Sequence, residues 1–298
     1  MEHIEELKPI DGLRDPVLLT GFRMRRRAGR LAARAINYLT EHSDVEPVAR
    51  IDMTPFLNLA IDRPQINRTE TESRIEWPVA TLYLSRSASA NRDLLLLSAM
   101  EPNFLWPTFV EMIANYMDGA GVKTLVTLRA HPGEVPHTRP SPVYLTANDM
   151  DLKALFGTPA NKSRYEGPIG IAGVLGARVQ ALGWRTAELA VVQPDYFPRM
   201  PCAEAMIALL MLLDRAFGTT TSIDTLRETA DEQREMLDRS ISGDEKSRAE
   251  VEAREQSYDE GVEKLEFLSP SRMSSDLPSG EDIADEIENF FRRSEPEG

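Results

Sequence analysis

The segment that most constrains the fold is Asp93–Met100, DLLLLSAM, which is apolar at nearly every position. A strand with one face in water alternates apolar and polar residues, whereas a strand covered on both faces carries a nearly continuous apolar run. Doubly covered strands are typical of parallel sheets with helices on each side. The segment therefore predicts a central parallel strand in an α/β fold.

Apolar segments of strand length alternate with helical patterns before residue 218. The hydrophobic periodicity predicts strands at 16–22, 48–53, 93–100, 124–128 and 187–192, and helices at 31–39, 108–117, 170–182 and 201–217. Such alternation is the pattern of βαβ units. We therefore predict a three-layer α/β/α sandwich with a mixed sheet.

Residues 70–90 depart from this alternation of strands and helices. Both 72–77 and 79–84 alternate polar and apolar residues, which predicts an antiparallel β-hairpin inserted into the α/β chain. The edge and apolar side of such a hairpin need cover. We predict that Ile75, Trp77 and Leu82 lie in a homotrimer interface.

The charge of −14 is unevenly distributed along the 298 residues. Residues 1–218 carry 25 acidic and 24 basic side chains, whereas residues 219–298 carry 23 and 10. The near-neutral body disfavours nucleic-acid binding through a broad basic surface. We predict three parts: an α/β core at 1–218, an acidic helical lid at 219–266, and a linker with a terminal amphipathic helix at 267–298.

Cysteine content and hydropathy bear on the compartment. Cys202 is the single cysteine, which excludes an intramolecular disulfide and favours a reducing compartment. The first residues lack the charged start and apolar run of a signal peptide, and the longest apolar run, 206–213, is too short to span a bilayer. We expect a cytoplasmic protein without a membrane partner.

The segment Gly133–Leu145, GEVPHTRPSPVYL, places three prolines, a histidine and an arginine between two apolar runs. Proline fixes φ and removes a donor, so this connection is stiff. It is either the wall of a pocket or a rigid subunit contact. Ligand-binding candidates near the carboxyl ends of the strands, where open α/β sheets bind ligands, are Glu101, Arg129, His131, His137, Arg139, Asp195 and Tyr196.

Two further segments are candidates for anion binding. Arg23 and Arg25 belong to an arginine cluster where a helix is predicted to begin, and Gly167 and Gly170 precede the helix at 170–182. Helix N-termini attract anions, so the positive charge of the arginines at such a position favours binding of an anionic partner. The alternatives are that the arginines pair with the acidic tail or a neighbouring subunit, and that the glycines serve only a tight turn.

The inventory of catalytic motifs is short. No phosphate-binding loop, nucleophile elbow, zinc-protease motif or dinucleotide fingerprint is present, and the spacing of His131 and His137 matches no standard metal site. We expect no cofactor and no metal. Two classes of function stay open: a binding or assembly protein, and a hydrolase or phosphorylase acting on a small anionic substrate. Convergence of Glu101, Arg129, His131 and His137 in one pocket would favour the enzyme.

Several short motifs together resemble a known family. They are Gly21-Phe22, Glu101-Pro102 with Trp106, Val135–Pro140 (VPHTRP), Tyr165–Ile171 (YEGPIGI) and Leu277–Glu281 (LPSGE). The chain resembles the bacterial branch of the proteasome assembly chaperone family, of the type named after the second subunit. The resemblance implies a phosphorylase/hydrolase-like α/β core, homotrimers and a helical C-terminal segment over the core. It implies no established reaction.

One stretch departs from the family pattern. Family members commonly follow the first strand with a Gly-Trp-x-Asp-Ala-Gly turn, whereas residues 21–29 here read GFRMRRRAG. Arginines replace the acidic residue, so a role for that aspartate does not carry over to this chain.

Overall fold

A computed structural model describes residues 2–24, 30–69, 72–86, 92–157, 166–197 and 200–267. The chain forms two compact units, 1–245 and 246–298. The strands are Ile4–Glu6 (β1), Val17–Arg23 (β2), Glu46–Asp52 (β3), Gln65–Arg68 (β4), Ser73–Glu76 (β5), Val79–Arg86 (β6), Asp93–Met100 (β7), Thr124–Gly133 (β8), Val143–Ala147 (β9) and Arg185–Pro194 (β10). The helices are Leu31–His42 (α1), Trp106–Gly119 (α2), Met150–Phe156 (α3), Ile171–Ala181 (α4), Ala203–Phe217 (α5), Asp224–Ile241 (α6) and Glu245–Phe267 (α7).

Eight strands form one mixed sheet in the order β1-β3-β6-β7-β2-β8-β10-β9. The central neighbours β7, β2, β8 and β10 run parallel to one another, and the outer pairs are antiparallel. Both faces of the centre are covered by helices. The predicted α/β class with a mixed sheet is therefore confirmed, and the apolar run at 93–100 is one of its central strands.

Alternate residues of β7 supply the two halves of the core. Leu94 and Leu96 pack with α1, α3, α5 and α6 on one side of the sheet, which we call face A. Leu95 and Leu97 pack with α2 and α4 on the other side, which we call face B. Because side chains alternate along a strand, a run of four leucines contributes to both cores.

A close backbone contact positions α1 on face A. A Cβ atom at Gly21 in β2 would overlap the carbonyl group of Ala32 in α1. Glycine therefore permits the helix backbone to lie directly against the strand.

The inserted hairpin is present, but its strands differ from the predicted ones. Ser73–Glu76 pairs with Gln65–Arg68 in a separate two-stranded sheet, with Ile66 opposite Ile75. Residues 79–86 instead pair with β3 and β7 in the main sheet. Leu82 is fully buried in the core, so its assignment to a subunit interface was wrong.

The region after residue 218 begins with two helices. Helix α6 belongs to the first unit and buries Leu226 and Leu237 in the core on face A. The residue predicted to end the core, Gly218, directly follows α5, whereas the two units divide after Glu245. The predicted linker and terminal helix lie outside the described residues. In the described part of the chain, no helix has both the length and the apolar composition required to cross a membrane.

Asp93, at the start of β7, is a fully buried carboxylate. It accepts hydrogen bonds from the Arg14 backbone N–H and from Arg14 Nη2, each at 2.8 Å, and Arg86 Nη1 lies 3.5 Å away. Burial alone would raise the pKa of Asp93. The hydrogen bonds from Arg14 and the charges of Arg14 and Arg86 outweigh burial and hold that pKa below its ordinary value.

We predict that Asp93→Asn lowers the free energy of unfolding by about 2 kcal/mol near neutral pH, since the change removes a buried charged acceptor from the hydrogen bonds with Arg14. The folded-state pKa lies below the unfolded value, so the wild-type advantage is complete above about pH 5 and is lost as the pH falls through the folded pKa. Urea unfolding of both proteins across this range measures the difference. A difference that stays constant on acidification contradicts the prediction.

Candidate functional site

The imidazole of His137 is buried beneath α6, where it forms hydrogen bonds with Tyr196 and Asp238. Its side chain is 2% exposed, Nδ1 lies 2.7 Å from Tyr196 Oη, and Nε2 lies 3.1 Å from Asp238 Oδ1. The His137 backbone N–H also donates to Tyr196 Oη at 2.9 Å. These bonds are all satisfied if the tyrosine hydroxyl donates to Nδ1 and the Nε2–H group donates to Asp238. His137 therefore connects the 133–145 segment to α6 within the same chain.

The rest of the 133–145 segment is anchored to β10 and the residues after it. Asp195 N–H donates to the Gly133 carbonyl at 3.0 Å, and Val192 N–H donates to the Pro142 carbonyl at 2.9 Å. Tyr196 is thereby held close to His137. The prolines remove backbone donors from the segment, and these two bonds at its ends fix its position.

Helix α6 closes the space around Arg139. A cavity of about 20 Å³ remains there, lined by residues that include His137, Arg139, Cys202, Gln233 and Leu237. That volume is about the size of one water molecule. Gln233 Oε1 accepts a hydrogen bond from Ala203 N–H at 2.9 Å, which holds α6 to the start of α5. The region predicted to be a pocket around His137 and Arg139 is therefore filled by the protein itself.

Arg129 and His131 lie on the opposite face of the sheet. Their neighbours Leu128 and Ala130 pack on face A, so the alternation of β8 places Arg129 and His131 on face B. Arg129 Nη1 lies 3.1 Å from Glu188 Oε2. Burial and the adjacent Arg129 charge lower the pKa of His131, partly opposed by Glu188.

Glu101 follows β7 and contacts the N-terminus of α4. Its Oε1 atom accepts a hydrogen bond from Ile171 N–H at 3.2 Å. A Cβ atom at Gly170 would lie 3.0 Å from that oxygen, so glycine permits the carboxylate to approach. The predicted anion position near Gly167 and Gly170 is thus occupied by a carboxylate of the chain itself, as the helix dipole favours.

A larger crevice of about 320 Å³ opens at the carboxyl ends of β2 and β7. It is lined by Arg23 and Met24 at the end of β2, by Met100, Glu101 and Asn103 at the end of β7, and by Arg30 and Asp62. Two predicted candidates, Glu101 and Arg23, meet here. Arg30, Asp62 and Asn103 were not predicted. Arg25 lies outside the described residues.

The predicted ligand-binding residues therefore fall into separate places. Glu101 lines the crevice, Arg129 and His131 lie on face B, and His137, Arg139, Asp195 and Tyr196 lie around the closed contact under α6. Among the described residues, no three side chains of the metal-ligating types form a cluster.

Comparison with known proteins identifies relatives over most of the chain. A family model described as the PAC2 family matches residues 27–241. A PAC2 family protein of Streptomyces avermitilis is 29% identical, with a TM-score of 0.69 over 76% of this chain and 95% of that chain. A proteasome-assembly chaperone homologue of Mycobacterium tuberculosis is 28% identical, with a TM-score of 0.68 over 80% of this chain and 99% of that chain.

A second Mycobacterium tuberculosis protein, described as of unknown function, is 23% identical and supports the fold alone. Its TM-score is 0.76, over 88% of this chain and 93% of that chain. None of the proteins of curated function matches this chain.

We predict that His137 and Asp238 are energetically coupled by about 0.5–1 kcal/mol, because one partner is buried while the other is about half exposed. A double-mutant cycle with His137→Ala, Asp238→Ala and the double variant, measured by urea unfolding, gives this coupling free energy. Asp231→Ala, which removes an exposed carboxylate from the same helix, is the matched control and should show no coupling to His137→Ala. Equal coupling for both aspartates contradicts the assignment.

Burial raises the pKa of the Cys202 thiol to about 11. We predict that near pH 8 the native protein reacts with a water-soluble disulfide reagent about 100-fold more slowly than the urea-unfolded protein, because the thiolate is rare and covered. Absorbance of the released thiol measures both rates. Similar native and unfolded rates contradict the prediction.

Proposed function

Because the chain belongs to the PAC2 family, we propose that it is an assembly or partner-binding protein, acting as a cytoplasmic homotrimer with a small-ligand pocket at the strand ends. The family match confirms the resemblance carried by the short sequence motifs. The mycobacterial relative described as a proteasome-assembly chaperone homologue supports the assembly role, and a partner of that kind is proposed here for this chain.

The exposed hairpin is the observation that carries the association proposal. All eight residues of β4 and β5 are exposed, and the cross-strand pair Ile66 and Ile75 is 54% exposed at each residue. Trp77, which follows β5, is 51% exposed. An isolated two-stranded hairpin is marginally stable in water and gains stability when its apolar side is covered. We propose that this cover comes from another copy of the chain.

The hairpin surface suits self-association. Arg68, Arg74 and Glu76 place both signs of charge on the two strands, so copies can meet with opposite charges in contact. The outer edges of β4 and β5 also leave backbone groups available for strand pairing, which is the usual route of edge-to-edge association.

The enzyme alternative has less support from the geometry. Its candidate groups lie on two faces of the sheet, and several already bond within the chain: His137 with Tyr196 and Asp238, and Arg129 with Glu188. General acid–base chemistry requires such groups to reach the same reacting atoms. The helical lid at residues 219–266 stays a prediction. The contact of Asp238 in α6 with His137 supports it.

We predict that Ile75→Ser and Trp77→Ser convert the trimer to smaller species, because each removes apolar area from the proposed interface. Light scattering measures the mass against the protomer mass of 33.4 kDa. Point variants are required, since deletion of residues 72–84 would also remove the core residue Leu82.

Met211→Ser is the matched control, because Met211 is an apolar residue of α5 that is also 54% exposed. It should leave the mass unchanged. A monomeric wild type, or a trimer that both hairpin variants retain, would refute the association proposal.

A further inference from the structure

The crevice lies where the chain leaves two adjacent parallel strands in opposite directions. Helix α1 follows β2 onto face A, whereas α2 follows β7 onto face B. Strands β2 and β7 are parallel neighbours, with Arg23 opposite Met100 at their carboxyl ends. In open α/β sheets this arrangement leaves a gap between the two connections, and ligands bind in it. The topology therefore marks the crevice as a binding position independently of its lining.

Two guanidinium groups supply positive charge to the crevice. Within the described residues, Arg23 and Arg30 have no carboxylate within ion-pair distance, and Arg23 Nη2 lies 2.7 Å from Met100 Sδ. Other arginines of the body, such as Arg14 and Arg178, pair with carboxylates. A planar guanidinium binds a carboxylate or phosphate through two parallel hydrogen bonds. One side of the crevice is therefore suited to an anionic group.

Acceptors and an amide line the same crevice. Glu101 uses Oε1 for Ile171 N–H, which leaves Oε2 as an acceptor. Asp62 also lines the crevice and already has an interaction within the chain. Asn103 Oδ1 accepts from Asn58 N–H at 2.7 Å, which orients the amide so that its NH2 group is the donor left for a ligand. Among the described residues, the lining thus offers a ligand two arginines and the free oxygen of the Glu101 carboxylate.

We propose that the crevice binds a small zwitterion of the α-amino acid class. This inference rests on the proposed strand-end pocket and not on the proposed association. The arginines would bind the ligand carboxylate, and Glu101 its ammonium group. Met24 and Met100 offer adaptable thioether surface to an apolar side chain. The carboxylates disfavour a phosphate dianion, and about 320 Å³ is at the small end of ligand pockets.

The test is calorimetric titration of the full chain with each of the common L-amino acids, with acetate and with inorganic phosphate. At least one amino acid should bind more tightly than acetate or phosphate. Arg23→Ala and Arg30→Ala should each weaken that binding at least tenfold, whereas Arg50→Ala, an exposed arginine of β3, should not. Glu101→Gln keeps an acceptor for Ile171 N–H but loses the charge. It should weaken amino-acid binding but not acetate binding, because the loss of a negative charge lowers the repulsion of an anion.

The other outcomes overturn the proposal, and each shows whether the ligand class, the pocket or the location of the ligand is wrong. Binding of acetate or phosphate without any amino acid rejects the zwitterion while the pocket stands. Absence of binding by every probe rejects the pocket as well. Amino-acid binding that survives both arginine substitutions places the ligand elsewhere. Light scattering on the same samples reports the association proposal separately.

Discussion

The contact of α1 with β2 at Gly21 is the constraint on which much of the structure depends. Only a residue without a Cβ atom allows the Ala32 carbonyl of α1 to lie so close to the strand. With α1 held on face A, and α2 on face B after the neighbouring strand, the chain opens a gap between β2 and β7. Arg30, the residue before α1, is held at the rim of that gap. One glycine thus connects core packing to the geometry of the crevice.

The central strands and the long helices could be predicted because their side-chain patterns report burial directly. Four consecutive leucines in β7 indicate two covered faces, and the apolar run of α5 indicates a buried helix. The hairpin partner could not be predicted in the same way. Alternation at 72–77 and 79–84 indicates strands but contains no information about which strands pair, and β6 pairs with β3 and β7. The short β1, β9 and α3 carry too few residues for a clear pattern.

The structure brings two of the predicted site residues together at one edge of the sheet and separates the others. Parallel strands end at one edge of a sheet, which explains why Glu101 and Arg23 meet. A position at the end of a strand does not determine on which face of the sheet the side chain lies, and alternation along β8 separates Arg129 and His131 from the segment around His137. Nor does it reveal that α6, about 100 residues later, covers His137 and closes the cavity around Arg139. Long-range packing decided which strand-end residues face a ligand-sized space.

The crevice and the exposed hairpin share one segment of the chain, which gives the two proposals a common physical basis. Asp62 lines the crevice three residues before β4 begins, and Asn58 binds Asn103 on the other wall. Phe104 N–H also donates to the Phe56 carbonyl at 3.1 Å, so the start of this segment is fixed to the residues after β7. A ligand held between Asp62 and Asn103 would restrict the segment that carries the hairpin. Any gain in association from that ordering would be matched by an equal gain in ligand affinity in the assembled form, because the coupling free energy between two binding events is reciprocal.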